Sequence, residues 1–227
     1  MAEALHITSE VFDKIPNLVI ISGFLKMGTP DHDGIQAYLK TSWDSLSKEV
    51  SEHGHSSHPV IAQCRKALQD AKVSVKKFPP SIQAIAKRTQ KFDEPFSINP
   101  IDDTYNAICM DLVLPGGAYD IPQLEGGLQL RVSEGGESFN AIGKTENNPT
   151  IAGEIVYADD VEVITRQFLW QQADKGKITG SIENVVFVFE LLTDMGDAVL
   201  DRTVKTIEDK FTSLLNGEIS DLFIHRK

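Results

Sequence analysis

Two stretches of the chain are apolar at almost every position, 17–25 (NLVIISGFL) and 184–192 (NVVFVFELL). Short runs of this kind, rich in β-branched and aromatic residues, predict strands covered on both faces. Elsewhere the apolar positions recur every three or four residues. Ile35, Leu39, Trp43, Leu46 and Val50 define one amphipathic helix. Pro59 opens a second, with Ile61, Cys64, Leu68 and Ala71 facing inward. Phe78-Pro79-Pro80-Ser81 breaks the chain and launches a third over 81–91, whose apolar side is Ile82, Ile85, Ala86 and Thr89. The fourth has Asn99 as cap, Pro100 at the first helical position, and Asp102 and Asp103 where the helix dipole favours negative charge. Its apolar face is Ile101, Tyr105, Ile108 and Leu112, and Pro115-Gly116-Gly117 should end it in a turn. Leu200, Val204, Ile207, Phe211 and Leu214 form a closing helix, stopped by Asn216-Gly217.

Shorter signals fill the gaps. Residues 5–7 read as a brief strand and 8–12 as a brief helix, and Gly28 to Gly34 as a loop. Residues 128–132 alternate apolar with Gln129 and Arg131, Gly135-Gly136-Glu137 is a turn, and strands follow at 153–157 and within 161–170. Helices first, sheet second and helix last predict an α+β fold in a single domain over 1–227. Residues 1–78 supply an N-terminal strand and helices, 79–192 the core, and 193–227 the closing helix and a tail.

The chain has 227 residues, 41% of them hydrophobic and 24% charged, enough for one sizeable core. No run of about 18 apolar residues is present, so no membrane span is expected. Residues 1–9 mix polar and apolar types and lack the apolar stretch of a signal peptide. Cys64 and Cys109 form no CxxC and read as reduced, buried thiols, which suits a cytoplasmic protein. The net charge of −11 opposes nucleic acid at first sight, but its distribution is uneven. Between Arg65 and Lys91 eight basic residues face one acid, Asp70, so this segment is about +7 and the rest roughly −18. Arg65, Lys87, Arg88 and Lys91 are the candidate RNA contacts there.

The chain lacks GxSxG, a Walker A loop, HExxH and GxGxxG after a strand. His53, His55 and His58 lie close together, but no further Cys or His spacing supports a metal site, and they read as a polar interhelix loop. No metal or cofactor is expected. What recurs is a set of glycine-acid corners: Gly136-Glu137, Gly153-Glu154 and the turn from Gly117 to Asp120. Carboxylates at such corners can orient water or accept from an amino group. Asn106 lies off the apolar stripe of its helix, which suggests the wall of a small polar pocket floored by Gly116, Gly117 and Asp120.

Five segments in order, PPSIQAIAKR (79–88), IDDTYNAICMDLVLPGGAYDI (101–121), LQLRVSEGGESFNAIG (128–143), IAGEIVYADDVEVITRQFLW (151–170) and NVVFVFELL (184–192), resemble the B3/B4 domain of the phenylalanyl-tRNA synthetase beta subunit. Residues 9–25 look like the start of free-standing members of that family. The resemblance implies a β-sandwich-like core flanked by helices, and a pocket that in the synthetase hydrolyses tyrosine wrongly esterified to the phenylalanine tRNA. It places Asn106 at the pocket wall, Pro115, Ala118 and Asp120 in the lining turn, Ala152-Gly153 at the family's Ala-Gly corner, and Glu190 as the acid of the last strand. Gly117 stands where the synthetase form often has histidine. Phe168 and Gln171 replace tryptophan and arginine of the free-standing members, while Arg166 and Trp170 are retained.

Two classes of function follow. One is hydrolysis, in trans, of the ester bond of mischarged aminoacyl-tRNA, with Asn106, Glu154 and Glu137 as catalytic candidates. Gly116, Gly117, Tyr119, Asp120, Arg166 and Trp170 would then bind the aminoacyl ester, and the glycine amides would hold its carbonyl oxygen. The other is a non-catalytic module that binds an amino acid or RNA.

Overall fold

The computed structural model describes residues 4–180, 182–192 and 196–227. Two sheets form the centre. In the first, β2 (Val19–Lys26), β3 (Gly116–Asp120), β8 (Asn184–Leu191) and β9 (Glu218–His225) run antiparallel in the order β3-β8-β2-β9. In the second the order is β1-β4-β5-β6-β7, from β1 (His6–Ile7), β4 (Gln129–Val132), β5 (Ile155–Ala158), β6 (Val163–Arg166) and β7 (Gln171–Gln172). The helices are α1 (Ser9–Lys14), α2 (His32–His53), α3 (Pro59–Asp70), α4 (Ser81–Thr89), α5 (Pro100–Leu112) and α6 (Asp197–Leu215).

The apolar run of β8 is explained by its two neighbours. Val185, Phe187, Phe189 and Leu191 point into a core shared with Trp43 and Leu46 of α2, Ile108 of α5, and Ile207 and Phe211 of α6. Val186 and Val188 point the other way, into a core between the sheets with Leu130, Ile155, Tyr157 and Ile164. Successive side chains of a strand face opposite sides, so a strand buried between two layers must be apolar throughout. A smaller cluster of Phe139, Ala141, Val156, Ala158, Val163 and Ala173 covers the outer face of the second sheet. The result is an α+β fold with a β-sandwich-like core flanked by helices: α2, α5 and α6 pack on one face of the first sheet, and α1 and α3 add Val11, Cys64 and Leu68 to the core between the sheets.

Several elements differ from the expected ones. Helix α2 starts at His32, inside the expected loop, because the Asp31 carboxylate accepts from the Gly34 amide at 3.1 Å. The tail is the edge strand β9, paired with β2. Pro115-Gly116-Gly117 is not a free turn. Helix α5 ends at Leu112 with Val113 in the left-handed region (φ 52°), and Gly116 already pairs with β8. A β-branched residue rarely adopts that backbone, and here it swings the chain from helix to strand within three residues.

Candidate functional site

The alternation that builds the core also builds a cavity. Gly117, Tyr119, Val188 and Glu190 share the face of the first sheet that looks toward the second. Val188 is packed there, but Gly117 has no side chain, and a Cβ added to it would meet nothing within 4 Å. The space is a cavity of about 160 Å³. Tyr105 and Asn106 of α5, Ser81 at the start of α4, Tyr157 of β5, Thr165 of β6 and the segment 168–172 complete its wall. That volume lies below the range of drug-sized pockets, roughly 300–1,000 Å³, and suits a small polar group.

The segment 168–172 is held by strained backbone. Gln167 and Phe168 both take positive φ (52° and 65°), a conformation costly for residues with a side chain. Phe168 is fully buried and its amide donates to the Ile155 carbonyl at 2.7 Å, which fixes the bend. The Ser81 amide donates to the Leu169 carbonyl at 2.9 Å, and Trp170 packs edge-on against Phe78 at 4.8 Å. The wall is thereby tied to α4.

The acid of the cavity is Glu190. It is 2% exposed. Its Oε1 accepts from the Tyr157 hydroxyl at 2.6 Å, whereas Oε2 has no hydrogen-bond partner among the described residues. Burial pushes its carboxyl up to about 7, and the Tyr157 hydroxyl offsets part of that rise. Nearby, the Tyr119 hydroxyl and Thr165 Oγ1 share a hydrogen bond at 3.0 Å.

Ladder geometry decides which glycine amide is available. The Glu190 amide donates to the Pro115 carbonyl at 3.1 Å, and the Asp120 amide turns away from β8 to the Gly176 carbonyl at 3.0 Å. In an antiparallel pair bonded and non-bonded positions alternate. Gly117 therefore bonds Val188, while the Gly116 amide points out of the sheet edge. Gly116 also has a packing duty, since a Cβ there would lie 2.6 Å from Phe189 Cδ1 and 2.9 Å from Cys109 Sγ.

Not every residue singled out in the sequence comes to this cavity. Asn106, Gly116, Gly117, Tyr119 and Trp170 line it; Glu154, Glu137, Asp120 and Arg166 do not. Glu154 and Arg166 form a buried ion pair, in which Arg166 Nε donates to Glu154 Oε2 at 3.0 Å and its Nη2 to Oε1. Gln167 Nε2 also donates to that carboxylate, and Arg166 Nη1 donates to the Asn148 carbonyl at 2.9 Å. Glu137 is paired with Arg131, which holds its carboxyl below the usual range. Asp120 accepts from Gln123 Nε2 at 2.7 Å beside another depression, with Pro122 and Asn184. Glu154 and Glu137, the carboxylates expected to place a water, thus lie outside this cavity, and both are paired with arginines. Glu190 takes their place in the cavity. Its sequence signal is a single acid inside an apolar strand, a position that burial normally forbids.

The four candidate RNA contacts do come together. Arg65, Lys87, Arg88 and Lys91, joined by Lys76 and His55, line an open groove of about 720 Å³ beside α3 and α4, with no carboxylate among its lining residues. The histidines serve separate contacts: His58 Nε2 meets Glu49 Oε2 at 3.1 Å and His55 Nδ1 meets Gln90 Oε1 at 3.0 Å. Among the described residues no cluster of three or more His, Cys, Asp or Glu is placed to hold a metal ion. No helix among them is long and apolar enough to cross a membrane.

A family model described as the B3/4 domain matches residues 63–209, more than half of the chain. The chain belongs to the B3/4 domain family. Every residue lining the cavity falls within the matched stretch, whereas β1, β2, α2 and β9 lie outside it. No curated protein sequence matches significantly. Among solved structures, the chain is similar to an N-terminal fragment of the phenylalanyl-tRNA synthetase beta-subunit from Pyrococcus horikoshii. The identity is 10% and the TM-score 0.46, over 96% of this chain and 50% of that one. The B3/4 chain thus spans half the length of that fragment.

Proposed function

We propose that this B3/4 protein hydrolyses, in trans, the ester bond between an amino acid and the tRNA that wrongly carries it. The observation that carries the reading is Glu190, a buried carboxylate with one unpartnered oxygen at a polar cavity of about 160 Å³. A buried acceptor without a partner is costly, and a donor on a bound aminoacyl group would satisfy it. Asn106 then orients the ammonium or the ribose, and the outward Gly116 amide meets the ester carbonyl oxygen. The ester is already activated. Water adds to the carbonyl carbon, the bond to the ribose oxygen breaks, and that oxygen takes a proton. Preorganised donors at the carbonyl oxygen are worth about 10²–10³ in rate each. The tRNA approaches along the basic groove.

The test is deacylation of purified tRNAs charged with a panel of amino acids. Wild type should release at least one of them, and Glu190→Ala and Asn106→Ala should each slow release at least tenfold with folding intact. Failure of the wild-type protein to cleave any charged tRNA would defeat the proposal. A second reading, a module that binds an amino acid without cleaving, gains from the diversion of Glu154 and Glu137 to arginines. Calorimetric binding of a free amino acid, abolished by Glu190→Ala and accompanied by no cleavage, would establish it instead.

A further inference from the structure

The basic groove has an aromatic mouth. Phe92 lines it and is 43% exposed; Phe96, 55% exposed, sits edge to face with Phe92 at 5.1 Å. Ile98, two residues on, is 65% exposed. Lys91 lies 5.8 Å from the centre of the Phe92 ring. Three large apolar side chains in seven residues are thus left to water next to Arg65, Lys76, Lys87, Arg88 and Lys91.

We propose that this surface docks single-stranded RNA, with a base stacked on the Phe92–Phe96 pair and the phosphates running along the cations. Cations alone would attract any polyanion, whether duplex, polysaccharide or acidic peptide. Exposed aromatic faces select among these, because only unpaired bases offer π-surfaces to stack on. The neighbouring acids do not cancel the field. Asp93 and Glu94 follow Phe92, but Glu94 lies 3.7 Å from Lys40, and no carboxylate lines the groove. The placement also relates to the cavity. Ser81 at the start of α4 lines the cavity, while Gln83, Lys87 and Arg88 further along the same helix line the groove. A small cleft bounded by Arg88, Phe96 and Asn106 lies between them. A strand held at the phenylalanines therefore has its end beside the cavity wall. That last relation rests on the proposed hydrolysis; the docking itself does not.

The test is fluorescence anisotropy with a labelled single-stranded RNA, a duplex of equal length, and heparin as a polyanion control, over a salt series. The variants are Phe92→Ala/Phe96→Ala and Glu190→Ala. Loss of the phenylalanine pair should weaken single-strand binding about 5- to 100-fold, as expected for one lost stacking contact. It should leave the salt slope and heparin binding unchanged. Glu190→Ala should bind the single strand like wild type, and a wild-type protein that binds the single strand yet cleaves no charged tRNA would count against the hydrolase reading alone. Wild type that binds no single strand would overturn the inference. So would a protein that prefers the duplex, or phenylalanine variants that bind like wild type.

Discussion

Gly116 and Gly117 are neighbours with opposite duties, and the difference lies in which face of β3 each occupies. Gly116 is pressed against Phe189 and Cys109, so Gly116→Ala should cost about 1–3 kcal/mol in chemical denaturation, as overpacking usually does. Gly117 faces open space without a positive φ, so Gly117→Ala should leave stability within about 0.5 kcal/mol of wild type while filling part of the cavity. Glu190 adds a pH dependence. Its folded carboxyl, at about 7, lies above the ordinary value of 4.5 that the unfolded chain would show. The folded state therefore holds the extra proton between those values. Its stabilising effect is fully present below about pH 4.5 and is lost as pH rises through about 7. Denaturation midpoints measured across this window should fall less steeply in Glu190→Gln than in wild type. An identical profile would show that Glu190 does not carry the proton.

Among the elements, β5, β6 and the strained bend after β6 depend on one another through Arg166. The guanidinium spans Glu154, just before β5, and the carbonyl of Asn148. It also lies 5.8 Å from the centre of the Phe139 ring. Both partners of the pair are almost completely buried. Removing one side of such a pair strands the other charge, typically at a cost of about 3–5 kcal/mol. Arg166→Ala should therefore lower thermal stability sharply. Glu154→Gln, which keeps an acceptor oxygen, should do less damage. Both would act on activity through folding rather than chemistry, in contrast to Glu190→Ala.

Over the whole molecule, charge is segregated. An acidic chain concentrates cations on one groove beside α3 and α4, so any RNA is attracted there and repelled elsewhere. RNA affinity should fall steeply with salt, and Lys87→Ala/Arg88→Ala should reduce the single-strand salt slope by about 1.4 if each cation neutralises one phosphate. An unchanged slope would place the RNA elsewhere.

The periodicities of α2 to α6 and the apolar runs of β2 and β8 were legible because local spacing alone distinguishes an amphipathic helix from a strand buried on both faces. The acidic excess and its basic island were legible because charge adds along a chain. The strand β9 was not: Asp221 and exposed positions interrupt its alternation, and only the open edge of β2 makes it a strand. Nor could sequence order separate the acids. Glu137, Glu154 and Glu190 are all glutamates near strands, yet two meet arginines brought from positions 131 and 166 while the third meets a tyrosine and an unfilled space. The two arginine pairs close within the second sheet and its turns, between residues 6 and 12 positions apart, whereas the Tyr157–Glu190 bond crosses from one sheet to the other. Which acid is left facing the cavity is set by the stacking of the sheets, and that is a long-range fact no local pattern contains.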